Sequence, residues 1–443
     1  MTGSAERRYF AVDGGAGGAL LGQLRHASPR LIEVASPRHA DLLIVAEPVS
    51  TVLAPFVAEA YRALPRPCAA LGIGTPQSIL QNVIPAIRRI AGATASAEAV
   101  TEEALAIPFD ATPAESREPK IEPITMQLPS KHERDIATEL VVVTLGPIQP
   151  LTAGPLRLTL MCDGEQIVSV RVDAGYAARD VAGAMRRSTW ADAARLAADL
   201  DPLAPVAGRL AFISAVEQLQ RRVPAAPVKM LRERTLALER ATNHLSWLER
   251  FAVVLAHDAL ADKAARLRSG VSETPNTLTN LVRDLEALHS RLARDVLIAS
   301  RTKRIGAVDR ERLVGIGVTG PVLRASAEKD GDVRSRLLAR LEDTLAFLRF
   351  LTADAGVSRK AVPGDPEDWV VPPGEAAATV VGPRGNITVR VRSTGGDSPA
   401  TVEWGRPSSA LLETIPHVLA DQTLADAEVI VASLDIATAE ADG

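Results

Sequence analysis

Cysteine is almost absent: the 443 residues include only Cys68 and Cys162. Two thiols build neither a disulfide framework nor a metal site on their own. Both lie in apolar, strand-like runs, which suits buried thiols in a reducing compartment. Long apolar runs are missing too. Asp258 cuts the stretch Phe251–Leu260 and Glu47 ends Leu42–Val49, so nothing reaches the ~20 residues that a spanning helix needs. The first ten residues, with Arg7 and Arg8, lack the apolar centre of a signal peptide. A soluble chain that meets a membrane only through partners is the expectation. Strong charge of either sign is also lacking, and a formal net charge of −4 gives no concentrated basic surface for nucleic acid. What is present, 47% hydrophobic and 23% charged residues, is ordinary for a globular protein with room for two to three domains.

Along the chain, the first ~90 residues alternate strand and helix patterns. Tyr9–Val12, Leu31–Val34, Leu42–Ala46 and Cys68–Ile73 read as short strands, and Leu53–Leu64 carries apolar positions at helical spacing. That alternation predicts a parallel α/β sheet. Residues 94–131 are proline-punctuated, charged and poor in apolar residues, and read as a linker, with one acidic helix allowed over Ala95–Ala106. Strands follow at 139–146 and on either side of Asp163-Gly164, a dipeptide suited to a tight hairpin because both positions tolerate positive φ. Residues 176–353 turn helical. Leu238, Ala241, Leu245, Leu248, Ala252 and Leu255 recur at steps of three and four, as a core-facing stripe does. A hairpin around Gly382–Gly385, a helix near Leu411–Ala420 and a last strand at Ala427–Leu434 complete the reading.

Several short motifs occur in a fixed order. Residues 145–176 place a glycine-proline turn before a Leu156-Arg157-Leu158 strand and its hairpin. Ala215–Leu219, Asn243-His244-Leu245 with Trp247, Gly320–Arg324, Gly331-Asp332, Pro383-Arg384-Gly385, Arg406-Pro407-Ser408 and Ser433-Leu434-Asp435 follow. Over about 300 residues this resembles the hydrogenase-like large, D-type subunit of NADH–quinone oxidoreductase (complex I) and its group 4 [NiFe]-hydrogenase relatives. The segment 34–67, with Ser36-Pro37-Arg38 and Ala40-Asp41, resembles the small iron–sulfur subunit of the same complexes. The resemblance implies a fused chain in three parts. Residues 1–93 would be a flavodoxin-like α/β domain, 94–131 a linker, and 132–443 an α+β, hydrogenase-large-subunit-like domain with a helical core.

The departures from those families bear on function. Where the small subunit carries its first cluster cysteines, this chain has Ala16 and Ala19, and a third ligand falls near Pro76. Cysteine thiolates hold such clusters and alanine offers no lone pair. The glycines flanking Ala16 and Ala19 match neither a P-loop nor the dinucleotide fingerprint. The two cysteine pairs that bind nickel and iron in hydrogenases fall at Asp201 and Ala204, and at Ala437 and Glu440. In the quinone-reducing branch a histidine and a tyrosine protonate the quinone; here they fall on Ala153 and Pro202, neither of which carries a proton. The loop between Arg324 and Gly331 is also short.

His244 reads as a proton relay or as a satisfied core histidine, the latter favoured by its place on a core helix. Asp435 and Glu440 read as a hard-cation pair or, preferably, a solvated tail. Arg324 and Arg384 read as structural glue near the old cavity, paired with carboxylates such as Asp201 or Asp435. The expectation is a metal-free, cofactor-free structural or coupling subunit of an ion-pump-type membrane complex. Its partners would be antiporter-like and other membrane subunits, and it would sit in the cytoplasm, peripheral to the inner membrane. The enzyme alternative retains quinone- or NAD-linked electron transfer within an NADH–quinone oxidoreductase.

Overall fold

The computed structural model describes residues 7–15, 31–34, 36–47, 49–65, 68–73, 124–127, 140–148, 152–271, 275–327, 331–353 and 369–443. Ala16, Ala19, Pro76 and the acidic segment 95–106 lie outside them.

The N-terminal part is a parallel sheet of β1 (Arg7–Asp13), β2 (Leu31–Glu33), β3 (Leu42–Ala46) and β4 (Ala69–Ile73), ordered β2-β1-β3-β4. Every residue of β3 is buried, as expected of an inner parallel strand covered on both faces. On one face Phe10, Val12, Leu43 and Val45 pack against Val57, Ala60 and Tyr61 of α1 (Ala54–Ala63). The four strands and the helix match the sequence expectation closely.

A second, antiparallel sheet contains β5 (Ile124–Gln127), β6 (Val141–Leu145), β7 (Arg157–Asp163) and β8 (Gln166–Asp173), ordered β5-β8-β7-β6. The β7–β8 hairpin turns at Asp163-Gly164 as expected, with Gly164 at φ 58°. Strand β5 was not foreseen. It lies inside the stretch read as linker, where four residues between proline-rich segments are too short to show a period.

The helical region runs through α2 (Val181–Arg186), α3 (Trp190–Leu196), α4 (Pro205–Leu219), α5 (Ala226–Val254), α6 (Asp258–Ser269), α7 (Pro275–Leu292), α8 (Val296–Thr302), α9 (Arg310–Ile316), α10 (Gly320–Ala325) and α11 (Val333–Ala353). The long helix α5 packs against α6 and α11, and α11 against α7. The main core joins Leu158 and Leu160 of the second sheet to Leu245, Leu248 and Ala252 of α5 and to Leu337, Leu341 and Leu348 of α11. The stripe read from the sequence is thus the buried face of α5, with Leu238 at its half-buried margin.

The third sheet, β9 (Gly374–Val381), β10 (Asn386–Ser393) and β11 (Thr401–Gly405), is antiparallel in the order β11-β10-β9. The hairpin expected around Gly382–Gly385 joins β9 to β10. The chain continues through α12 (Pro407–Leu419), α13 (Leu424–Ala432) and α14 (Thr438–Asp442). Helix α13 corrects the strand expected at Ala427–Leu434. A short, wholly apolar run does not reveal its period when all its sides are buried. The missed signal was local, since the Thr423 hydroxyl donates to Asp426 at 2.9 Å across the first turn. Among the described residues, no helix is long and apolar enough to cross a membrane.

Candidate functional site

Five segments converge beside α5: the turn Asp201–Ala204 before α4, the strand-like piece around Ala153, the turn Pro383–Gly385, the turn Ser433–Ala437 and α14. Two neighbouring residues of α5 pin two of these turns. Asn243 donates to the Leu203 carbonyl at 3.0 Å, and His244 Nε2 lies 2.9 Å from the Pro383 carbonyl. A carbonyl only accepts, so His244 carries its proton on Nε2, leaving Nδ1 to face the Thr344 hydroxyl at 3.4 Å. Burial, reinforced by Arg340, pushes the His244 pKa down to about 3. It is a neutral, satisfied core histidine.

Between the pinned turns lies a buried charge network. Arg384 Nη1 meets Asp201 Oδ2 at 2.5 Å, and Arg384 Nε donates to the Asp435 carbonyl at 2.8 Å. Asp435 also receives Arg250 at 3.1 Å and stands 3.1 Å from Arg340, whose guanidinium rests 4.8 Å from the centre of the Trp247 ring. Arg340, Arg384, Asp201 and Asp435 are all fully buried. Burial alone would lower the Arg384 pKa, but Asp201, Asp435 and Glu440 together raise it.

Asp435 and Glu440 do not form the solvated tail expected of them. Asp435 has a positive φ of 58°, a conformation that aspartate tolerates better than most residues, and it turns the chain inward after α13. Glu440 is buried in α14, where it accepts from the backbone N–H and the hydroxyl of Ser408. Burial, aided by the Asp201 charge, raises its pKa to about 7. Asp442 accepts from Gly175 N at 2.9 Å and Ala177 N at 3.0 Å, and burial raises its pKa to about 6. Arg406 closes the region by donating to the Gly443 carbonyl.

The positions that the resemblance aligns with metal ligands and proton donors come together in part. Ala153 and Ala437 form a backbone bridge: Ala153 N donates to the Ile436 carbonyl at 2.9 Å, and Thr438 N donates to the Ala153 carbonyl at 3.0 Å. Ala204 is fully buried as the N-cap of α4, and Pro202 is half-buried in the same turn. Arg324 stands apart, which corrects its assignment to the cavity. Its side chain is 45% exposed and pairs with Asp343 and the Ala339 carbonyl on α11. From α10 the guanidinium meets α11 before it can reach Asp201 or Asp435. Cys68 is half-buried rather than buried, whereas Cys162 is fully buried and its pKa is raised for that reason.

Nickel–iron ligation does not fit this arrangement, since Asp201, Ala204, Ala437 and Glu440 offer no thiolate and Asp201 is engaged by Arg384. No group of three or more histidine, cysteine or acidic side chains poised for a metal occurs among the described residues. Among the described residues, the space beside Ala153 is too small for a quinone ring. The cavity bounded by Thr152, Ala153, Trp247, Arg250 and Asp435 offers about 10 Å³ to the centre of a water molecule, space for about one water. Sequence reasoning missed Arg250 and Arg340. A signal existed in α11, where Arg336, Arg340 and Thr344 follow at four-residue steps on its buried side.

The N-terminal sheet abuts the same region. Ser50 donates its hydroxyl to the Tyr176 carbonyl, and Phe56 meets Tyr176 edge-to-face with ring centres 6.0 Å apart. Gly15, at φ 111°, packs so tightly that a Cβ there would lie 2.5 Å from the Ala177 Cβ.

In fold, the chain is similar to a component of the membrane-bound sulfane sulfur reductase, an archaeal respiratory membrane complex. The TM-score is 0.61 at 22% identity, over 70% of this chain and all of that one. The family model of the 49 kDa subunit of respiratory-chain NADH dehydrogenase matches residues 263–341 and 363–443. The first of the D-type NADH-quinone oxidoreductase subunits of Roseiflexus castenholzii is 26% identical over 69% of this chain and 93% of its own length. The second D-type subunit of Chloroflexus aurantiacus is 25% identical over 72% and 99%. The C-terminal part of the chain is thus similar in sequence to D-type subunits of complex I, and it is built on a helical core of mixed α/β architecture.

Proposed function

We propose that this chain is a redox-silent structural or coupling subunit of a membrane-associated, complex I-like assembly of the ion-pump type. One observation carries the reading: Arg384 sits buried between Asp201 and Asp435, beside the Ala153–Ala437 bridge. Positions that would hold metal or protonate quinone are closed by an ion-pair network and by backbone pairing. What the fold retains is the packing framework of a large subunit, the part that docks against its neighbours.

The N-terminal sheet deepens the proposal. Its parallel order β2-β1-β3-β4 agrees with a flavodoxin-like domain, here read as a small iron–sulfur subunit that has lost its ligands at Ala16, Ala19 and Pro76 and is fused to its large partner. Fusion keeps two halves at high effective concentration, an advantage only if they still dock. The assembly would hold the chain at the cytoplasmic face of the inner membrane, through antiporter-like and other membrane subunits.

Affinity purification from detergent-solubilised membranes tests this. The chain is expected to bring membrane subunits with it, to carry no stoichiometric iron or nickel itself, and to show no NADH- or quinol-linked turnover of its own. Recovery solely as a partner-free soluble chain would overturn the placement. Quinone reduction that fails when Arg384 is replaced, with the assembly intact, would establish the electron-transfer alternative instead.

A further inference from the structure

One end of the helical region exposes apolar and basic side chains together. Val296 and Leu297, at the start of α8, are each 78% exposed. Ile298 and Thr302 form the buried side of α8, while Leu297, Ser300 and Arg301 lie on its outer side. Arg291 and Arg294 precede this turn, and Lys303 and Arg304 follow it, all exposed. From Ala287 to Val308 the sequence has one acid, Asp295, and its carboxylate is spent on capping α8 through Leu297 N and Ile298 N. Among the described residues, none of Arg291, Arg294, Arg301, Lys303 and Arg304 has a carboxylate within ion-pair distance. Arg294 and Arg301 donate to backbone carbonyls, of Ser290 and Leu255.

Beside this tip, between α6 and α7, lies a cleft offering about 40 Å³ to the centre of a water molecule. Leu260, Leu288 and Leu292 supply its aliphatic lining, and His257 and Arg291 its basic groups, while Lys263 at its edge is paired with Asp284 of α7 at 3.2 Å.

We propose that this tip is an interfacial contact that rests directly on an anionic phospholipid surface. The chemistry selects that occupant over a protein. A protein interface of ordinary size centres on aromatic anchors and about 800 Å² per partner, whereas this tip offers two aliphatic residues and no aromatic one. Two exposed aliphatic side chains ringed by long cationic ones, with the one acid of this stretch engaged by two backbone N–H groups of α8, suit shallow insertion with the cations at headgroup level. The inference goes beyond the proposed coupling role, because it assigns the chain its own lipid contact in addition to attachment through partners.

The test is co-sedimentation of the purified full-length chain with vesicles of phosphatidylcholine alone or with about a third phosphatidylglycerol. Binding is expected only to the anionic vesicles, falling as salt rises. Arg294→Glu with Lys303→Glu should weaken it on the order of tenfold or more, and Val296→Ser with Leu297→Ser on the order of tenfold. All four positions are on the surface or at an exposed turn, and circular dichroism checks that the variants keep their helix content. No sedimentation with anionic vesicles overturns the proposal. So does undiminished binding by both variants, which would locate the contact elsewhere. So does loss of a protein partner from the purified assembly in the variants with vesicle binding unchanged. Vesicle binding and co-purification are read separately, so either result stands when the other fails.

Discussion

Arg384 Nη1 and Asp201 Oδ2 lie 2.5 Å apart although 183 residues separate them in sequence. Both side chains are 1% exposed. Their turns are held by adjacent residues of one helix, Asn243 on the Leu203 carbonyl and His244 on the Pro383 carbonyl. The asparagine–histidine pair is therefore a clamp that sets the register of an ion pair. A pair so placed is stable only while both members are present, because a lone buried charge is far more costly than the intact pair.

That asymmetry gives the first prediction. Arg384→Met or Asp201→Leu alone should destabilise the protein by roughly 3–5 kcal/mol. The double variant should cost less than the sum of the two by about 1–3 kcal/mol, since each single change strands the other charge. Urea unfolding of the four proteins measures the coupling. Additive costs would mean that the pair contributes nothing and that Asp435 alone satisfies Arg384.

Stability should also depend on pH through Glu440. Its folded pKa, raised to about 7 by burial, lies above the ordinary value of 4.5. The folded state therefore holds a proton that the unfolded chain releases between those two values. The contribution is fully present below about pH 4.5 and is lost as pH rises through 7, at about 1.4 kcal/mol per pKa unit. Glu440→Gln removes this titration while keeping an acceptor for Ser408. The variant should gain on the natural chain by roughly 2–3 kcal/mol between pH 5 and pH 8. Parallel stability profiles across that range would refute the assignment.

Substituting a histidine for Ala153 should not create quinone reduction. The backbone of Ala153 is committed to Ile436 and Thr438, and the neighbouring cavity has room for about one water. An imidazole there would have to displace Trp247 or Arg250. The expected result of Ala153→His is a loss of stability of roughly 1–3 kcal/mol from overpacking, with quinol-linked activity of the purified assembly unchanged. Activity above that of the unsubstituted assembly would show a cavity that opens.

Much of the fold was legible because local signals agreed with the global arrangement. The Asp163-Gly164 hairpin, the parallel strands around Leu42–Ala46 and the stripe on α5 each carry their own period or turn chemistry. The misreadings share a cause. At Ala427–Leu434 and Ile124–Gln127 the element is too short, or too evenly apolar, for a period to appear, and tertiary contacts decide it. The candidate site divides in the same way. Arg384 and Asp435 could be suspected from their motifs, but nothing local to Glu440 announces Ser408, and nothing local to Arg340 announces Asp435. Arg324 stands in an equally suggestive motif and yet lies on the surface, because a motif fixes a turn and not the direction of each side chain.

The last prediction concerns the union of the two halves. Gly15 belongs to the N-terminal part, and its Cα would lie 3.2 Å from a Cβ placed on Gly154, with Ala177 and Ala439 beside it. Ser50 and Phe56 reach Tyr176 across the same seam, and Tyr176 is buried within the N-terminal cluster itself. A protease site inserted between Pro113 and Pro123, cut after folding, should therefore leave two fragments that co-elute at micromolar concentration. Gly15→Val should separate them, for two independent reasons. Its φ of 111° is a conformation that valine rarely adopts, and its side chain would collide with Ala177. Tyr176→Ala, which removes the ring contact but not the backbone acceptor of Ser50, should weaken association more mildly, by about tenfold or less. Circular dichroism of the separated fragments distinguishes undocking from unfolding. If the fragments without either substitution part cleanly at micromolar concentration while each stays folded, the covalent linker and not the seam holds the halves together, and docking loses its place in the argument for fusion.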